Sequence, residues 1–301
     1  SKKLKSYLRS LKGVEQIRIS QEADIEDTFM HLTKVMDLPN SDAMSWLDNF
    51  GWHNHWEDYR KLWMDALAKS YERKENFKPE FSSLATVKEF FSQLQKVEPQ
   101  NFKAFTLGSK DAQDDGIYDR KFDTFLPGMM SSVFSGNSSA IRLMNLYADR
   151  HVYCNRGVNG IEGSLSTAVG FSMCKNKSDK HVYCVLGDLS FFYDQNALWN
   201  RNLNGKLRII VLNNGGGAIF GKFQGLKESQ AREEMIMAKH HATAEGICSQ
   251  NEVKYLAAHT MEEMEQGISQ LIHAESERPM LLEVFTDMDV DNEMLEAIQK
   301  C

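Results

Sequence analysis

The segment from Gly187 to Phe220, GDLSFFYDQNALWNRNLNGKLRIIVLNNGGGAIF, constrains this chain more than any other. Apolar runs lead into two turns: Val182 to Leu186 into Gly187-Asp188, and Leu207 to Leu212 into Asn213-Asn214. Helix-compatible sequence separates them. Short apolar runs bounded by turn residues read as strands buried on both faces. Parallel strands of this kind need a long crossover, which is right-handed, so both deliver their carboxyl ends to one edge of the sheet. Open α/β sheets bind ligands at that edge. Asp188 and Asn214 are therefore expected to meet there.

The residue types at this edge point to a metal and a diphosphate held together. Magnesium prefers oxygen donors in near-octahedral geometry and takes few protein carboxylates, leaving positions for phosphate and water. Asp188, the side-chain oxygen of Asn214 and a loop carbonyl suit it. Gly215, Gly216 and Gly217 lack Cβ atoms and let backbone groups approach a charged ligand. A helix expected to begin near Ser190 adds unpaired amides. Gly-Asp and Asn-Gly are each common turn pairs. Their coupling across one strand-helix-strand unit is what carries the reading.

The remaining organisation fits such a sheet. Strands are expected near Ser132, Val152, Val182, Leu207 and Leu281, with a further one near Lys254, and Thr86 to Val97 reads as the first helix of the main domain. The alternation predicts an α/β fold, a doubly wound parallel sheet with helices on both faces. Residues 1 to about 35 read as helix, a short strand at Gln16 to Ile19, and a second helix, too little for an independent layer. Ser41 to Lys74 reads as helical, with Trp46, Trp56 and Trp63 as apolar anchors, and Asn76 to Ser83 as loop. Lys110 to Pro127, rich in Asp and Gly, reads as an exposed loop.

A chain of 301 residues with 42% hydrophobic composition can bury a sizeable core. Its net charge of −7 lacks the basic excess of nucleic-acid binders, so no such partner is expected. No apolar run approaches the eighteen or so residues that span a bilayer. The five cysteines are an odd set without a CxxC pair, which fits reduced thiols and a cytoplasmic location.

Gly187-Asp188 followed by Asn213-Asn214 resembles the cofactor motif of thiamine-diphosphate enzymes, although Leu189 stands where that motif usually has a third glycine. With GNSSAIR (Gly136 to Arg142) and NRGVNGIEGSLSTAVG (Asn155 to Gly170), the chain resembles the 2-succinyl-5-enolpyruvyl-6-hydroxy-3-cyclohexene-1-carboxylate synthase family of menaquinone biosynthesis. The likeness is good over Ser131 to Asp287 and looser elsewhere. It implies thiamine diphosphate and Mg2+ or Mn2+ as cofactors. Asp188, Asn214 and the Gly216 carbonyl match the metal ligands. Gly136, Asn137, Gly187, Leu189, Ser190, Asn213, Gly215 and Gly217 fall in the cofactor-binding strings. Ile161 matches the aliphatic support of the bent cofactor, and Ile219 and Phe220 match apolar neighbours of its ring. Ser138, Arg142 and Arg156 match substrate-carboxylate positions, with Tyr193 near that pocket.

The same resemblance implies decarboxylation of 2-oxoglutarate and conjugate addition of the remaining four-carbon unit to isochorismate. Both substrates are dianions, and guanidinium groups clamp carboxylates bidentately. It further implies that residues 1–75 end a linking domain and form a connector, that 76–301 form the diphosphate domain, and that the whole enzyme is a homodimer or homotetramer. The activating glutamate lies on a pyrimidine domain not found here, so the chain is expected to be a fragment, inactive alone. Another thiamine-diphosphate carboligase, acetolactate-synthase-like, or a noncatalytic cofactor-binding module remains open. Other groups carry less: His53 and His55 diverge on a helical pattern, His240-His241 reads as packing or capping, although with the following ATAEG it resembles a synthase segment near the active-site approach, and Glu262 to Glu265 reads as a solvated face.

Overall fold

The computed structural model describes residues 2–21, 25–39, 42–43, 45, 56–98, 130–174, 180–222 and 228–300. The chain divides into two compact units, Ser1–Lys69 and Ser70–Cys301.

In the first unit, α1 (Lys2–Ser10) is followed by β1 (Gln16–Ile19) and β2 (Leu32–Met36), which pair in parallel. The second helix expected before residue 35 is thus a strand. Leu32, Val35 and Met36 fit a helical spacing, but Thr33 and Val35 are β-branched, and Thr33 Oγ1 bonds the Gln16 backbone across the pair. Helix α2 (Trp56–Asn76) spans the residue at which the units divide. Trp63 is not an anchor: it is 54% exposed, edge-on to Tyr59 at 6.2 Å. Trp46, His53, His55 and the stretch 110–127 lie outside the described residues.

The second unit opens with α3 (Ser83–Val97), whose first turn is capped by Ser82 Oγ accepting from the Ala85 N–H. Then come β3 (Ser132–Ser135), α4 (Ser139–Tyr147), β4 (Val152–Cys154), α5 (Ser164–Cys174) and β5 (Val182–Gly187). The chain continues through α6 (Asp188–Asp194), β6 (Leu207–Asn213), α7 (Glu245–Gln250), β7 (Lys254–Ala258), α8 (Met261–His273), β8 (Met280–Phe285) and α9 (Met288–Lys300). The strands form one parallel sheet in the order β4-β3-β5-β6-β8-β7. Every strand expected from the sequence is present.

Side chains alternate strictly across this sheet, which is why the apolar runs are continuous. Tyr183, Val185, Ile210, Leu212, Leu282 and Val284 pack with α3, α4, α8 and Ile298 of α9 on one face. Val182, Cys184, Leu186, Ile209, Val211 and Leu281 pack on the other, against α5, Phe191 of α6 and Cys248 of α7. The doubly wound arrangement follows. Arg208 interrupts the β6 run yet is 1% exposed, because its guanidinium donates to the Leu271 and Ala274 carbonyls at the end of α8 (3.1 and 2.8 Å). Burial lowers its pKa. No described helix is long and apolar enough to cross a membrane.

Candidate active site

The strand order reverses at β3: the chain leaves it for β4 on one side and returns to β5 on the other. Helix α4 after β3 packs on one face of the sheet and α6 after β5 on the opposite face. The two connections therefore part at the carboxyl edge and leave a crevice, the usual ligand position in open α/β sheets. Its floor is tight. A Cβ on Gly136 would lie 2.9 Å from Leu186 Cβ and 3.7 Å from Ser190 Oγ, so only glycine lets the β3 turn sit against β5.

Asp188 begins α6 rather than preceding it, and the helix expected near Ser190 starts two residues earlier. The carboxylate is 3% exposed. Its Oδ1 accepts from its neighbour Leu189 N–H (2.7 Å), and Oδ2 accepts from the Gly216 N–H (2.8 Å). The acidic turn and the glycine turn are thereby joined directly. Gly216 has φ of +151°, and a Cβ there would meet the Met237 carbonyl at 2.7 Å. The Gly216 carbonyl accepts from the Ala218 N–H (3.1 Å).

The glycine turn is held by residues 237–240. Gly217 N–H donates to the Met237 carbonyl and His240 N–H to the Gly215 carbonyl (2.6 and 2.9 Å). This brings His240 Nε2 to 3.3 Å from Asp188 Oδ2. His240 Nδ1 accepts from the Ala242 N–H (3.1 Å), so the proton of the neutral ring resides on Nε2, facing the carboxylate. Polar contact with Asp188 raises the His240 pKa above the ordinary imidazole value, against the opposing effect of burial. His240 thus both caps a backbone N–H and faces the Asp188 carboxylate. His241 lines the adjacent cleft.

Two further acids position the amide turn. Asn213 donates to Glu283 Oε1 (2.7 Å) and the Ala242 carbonyl (3.0 Å), and its Oδ1 accepts from the Gly215 N–H (3.1 Å). Glu283 is fully buried in β8, where Oε2 also accepts from the Ala244 N–H and the Tyr255 hydroxyl. Asn214 donates Nδ2 to Asp291 Oδ2 (2.8 Å), which leaves its oxygen as the end turned away from that carboxylate. Burial raises the Asp291 pKa, opposed by the bonds it accepts from Asn214, Ser83 and Thr286.

On the β3 side, Asn137 is 3% exposed and donates to the Asn155 and Gly160 carbonyls (3.2 and 2.6 Å). Its Oδ1 accepts from Arg156 (3.0 Å), whose same nitrogen donates to Asn159 Oδ1 (2.6 Å). Arg156 is otherwise exposed, and Arg142 on α4 is exposed too. Ser138 caps α4 with φ of +65°, a conformation costly to a side chain. Its hydroxyl makes no capping bond. Ile161 and Ile219 are half-buried, while Tyr193 and Phe220 are exposed at 68% and 40%. A cleft of about 350 Å³ opens at the ends of β6 and β8, lined by Asn214, Gly215, His240, Phe285 and Asp287. Neither arginine lines it.

The donors at this edge fit a hard cation shared with a ligand. Asp188, the Asn214 amide and the Gly216 carbonyl offer oxygen alone, and no group of three His, Cys, Asp or Glu converges among the described residues. In the glycine turn, the missing Cβ atoms make room for the chain itself: a Cβ on Gly215 would meet the His240 carbonyl at 3.2 Å, and one on Gly217 would meet Phe220 at 3.0 Å and the Met237 carbonyl at 3.3 Å. Asp194, by contrast, is structural: it accepts from the Ser166 N–H (2.7 Å) and hydroxyl.

Residues 135–284 match the family model described as thiamine pyrophosphate enzyme, C-terminal TPP binding domain. Among curated proteins, the 2-succinyl-5-enolpyruvyl-6-hydroxy-3-cyclohexene-1-carboxylate synthase of Bacteroides thetaiotaomicron is 32% identical over 98% of this chain and 46% of its own length. The synthase of the same name from Phocaeicola vulgatus is 43% identical over 53% of this chain and 29% of its own. The chain thus spans less than half the length of these relatives. Among solved structures, benzoylformate decarboxylase from Polynucleobacter necessarius matches 52% of this chain and 30% of its own, with a TM-score of 0.45 and 16% identity.

Proposed function

Because this chain belongs to the thiamine pyrophosphate enzymes, as a relative of 2-succinyl-5-enolpyruvyl-6-hydroxy-3-cyclohexene-1-carboxylate synthases, we propose that it forms the diphosphate- and metal-binding part of such a synthase. The whole protein would decarboxylate 2-oxoglutarate and join the remaining four-carbon unit to isochorismate in menaquinone biosynthesis. What supports this reading most is the 2.8 Å bond from the Gly216 N–H to Asp188 Oδ2, which joins the acidic turn to the glycine turn.

Asp188, the Asn214 side-chain oxygen and the Gly216 carbonyl would hold Mg2+ or Mn2+, and Gly215, Gly217 and Ser190 the diphosphate. When bound, thiamine diphosphate supplies the electron sink that loss of carbon dioxide from a 2-oxo acid requires. The chain's own residues bind and orient. Ile161, Ile219 and Phe220 give apolar contact, and Ser138, Arg142 and Arg156 receive substrate carboxylates. Asn137 and Asn159 restrain the Arg156 guanidinium, which lowers the entropy lost when it clamps an anion. Residues 76–301 would constitute the diphosphate domain. The aminopyrimidine end of the cofactor would be met by residues outside this chain, in a cytoplasmic homodimer or homotetramer.

The test has two arms in the purified full-length enzyme. Asp188→Ala should abolish magnesium-dependent binding of thiamine diphosphate in calorimetric titration, since one carboxylate and the diphosphate share the ion. Arg156→Ala should leave that binding intact and weaken one substrate acid about 10- to 150-fold, the equivalent of about 1.5–3 kcal/mol for a charged hydrogen bond. A folded Asp188→Ala protein with unchanged cofactor affinity would refute the metal site. Unchanged kinetics for both acids in Arg156→Ala and Arg142→Ala would refute the clamps.

A further inference from the structure

A carboxamide can ligate a hard cation only through its oxygen, because its nitrogen carries two protons and acts as a donor. The two ends of the Asn214 side chain have nearly the same shape, so packing alone does not choose between them. A polar partner must. We propose that Asp291 is the positioning residue of the metal site, holding the Asn214 nitrogen so that its oxygen is the end presented to the cation; this rests on the reading of Asn214 as a ligand.

The geometry is fully specified. Asp291 Oδ2 accepts from Asn214 Nδ2 (2.8 Å), from the Ser83 hydroxyl (2.7 Å) and from the Thr286 hydroxyl (3.1 Å). Its Oδ1 accepts from the Ser83 backbone N–H (2.7 Å), a group that can only donate. The carboxyl group is thus pinned between the first residue of α3, the end of β8 and the first turn of α9. With Oδ1 committed to a backbone donor and Oδ2 to three others, the site rejects an inverted Asn214. Inversion would set two oxygens against each other and point an N–H pair at the ion. Asp291 acts on the metal through Asn214.

A double-mutant cycle tests this, read as the magnesium concentration needed for half-maximal thiamine diphosphate binding in the purified protein, followed by calorimetry. Asp291→Asn offers one oxygen where four donors converge, and its amide nitrogen faces the Asn214 nitrogen. The magnesium requirement should rise about 10- to 100-fold, the usual effect of losing an outer partner of a metal ligand. Asn214→Asp alone sets two carboxylates side by side and should also lose magnesium affinity. The double variant Asn214→Asp/Asp291→Asn restores a donor-acceptor pair and always presents oxygen to the ion, so it should bind magnesium more tightly than either single variant.

Losses that merely add in the double variant, or wild-type magnesium affinity in a folded Asp291→Asn protein, would overturn the positioning role. If Asp291→Asn alone fails to fold, comparison of Asn214→Asp with the double variant still decides the matter. Unchanged magnesium affinity in Asn214→Ala would instead remove Asn214 from the metal, a different failure that takes the positioning role with it.

Discussion

Glu283→Gln changes one atom type in the middle of β8, yet the structure assigns it a large cost. The two oxygens of Glu283 accept from three donors: Asn213 Nδ2 at 2.7 Å on one, the Ala244 N–H at 2.9 Å and the Tyr255 hydroxyl at 2.8 Å on the other. Glutamine keeps one acceptor end. If its oxygen stays with Ala244 and Tyr255, its nitrogen faces the Asn213 nitrogen in a fully buried position. A charge-assisted bond is worth about 1.5–3 kcal/mol, and leaving a buried donor unpaired costs about 1–3 kcal/mol more. We expect a loss of about 3–5 kcal/mol. For a domain of this size each kcal/mol moves the melting temperature by roughly 2–4 °C, so thermal unfolding should shift down by about 6–20 °C. The damage should also reach the site, because Asn213 can relieve the clash only by surrendering its bonds to the Gly215 N–H and the Ala242 carbonyl. Thiamine diphosphate binding should weaken in parallel. A Glu283→Gln protein melting within 2 °C or so of the wild type would refute this account of the buried carboxylate.

Two other outcomes follow from the same geometry. Glu98 accepts from Ser131, Arg150 and Lys180; burial alone would raise its pKa, but these bonds outweigh burial and hold it below the ordinary value of 4.5. A depressed carboxylate stabilises the fold above its unfolded pKa and loses that contribution as pH falls through the folded one. The stability gap between wild type and Glu98→Gln should therefore be full at pH 7 and shrink below about pH 4.5, and a gap independent of pH in denaturant titrations would contradict it. Ser138 holds φ of +65°, a strain of about 1–3 kcal/mol that glycine would relieve at an entropic cost of about 0.5–1 kcal/mol. Ser138→Gly should stabilise the protein by about 1 kcal/mol while weakening substrate binding; destabilisation would show that the conformation carries no strain.

The parts of the site legible in the sequence were those whose residue type is demanded locally. Gly216 must be glycine because of its backbone angle and the Met237 carbonyl beside it, and Asp188 stands out at the end of an apolar run. The missed residues look ordinary in their own surroundings. Asp291 sits in MDVDNE, the acidic first turn of a surface helix, and meets Ser83 only because residues 208 positions apart are folded together. Glu283 interrupts an apolar strand, which was a signal available in MLLEVF, but its three donors come from other elements. His240 is brought to Asp188 by two backbone bonds that no side-chain pattern encodes. The error at Leu32–Met36 has a simpler source, since five residues cannot distinguish a period of 2 from one of 3.6.

By itself, then, the sequence determined a parallel sheet covered on both faces and the sheet edge at which the Asp188 turn meets the glycine turn. These follow from apolar burial and from backbone constraints, which act over a few residues and leave local marks. Only the tertiary structure decided how the site is held: the Asp188 carboxylate against Gly216 N–H and His240, Asn213 on buried Glu283, and Asn214 on Asp291. Hydrogen bonds between distant side chains depend on both partners' positions to a few tenths of an ångström, and a one-dimensional pattern carries no such distances.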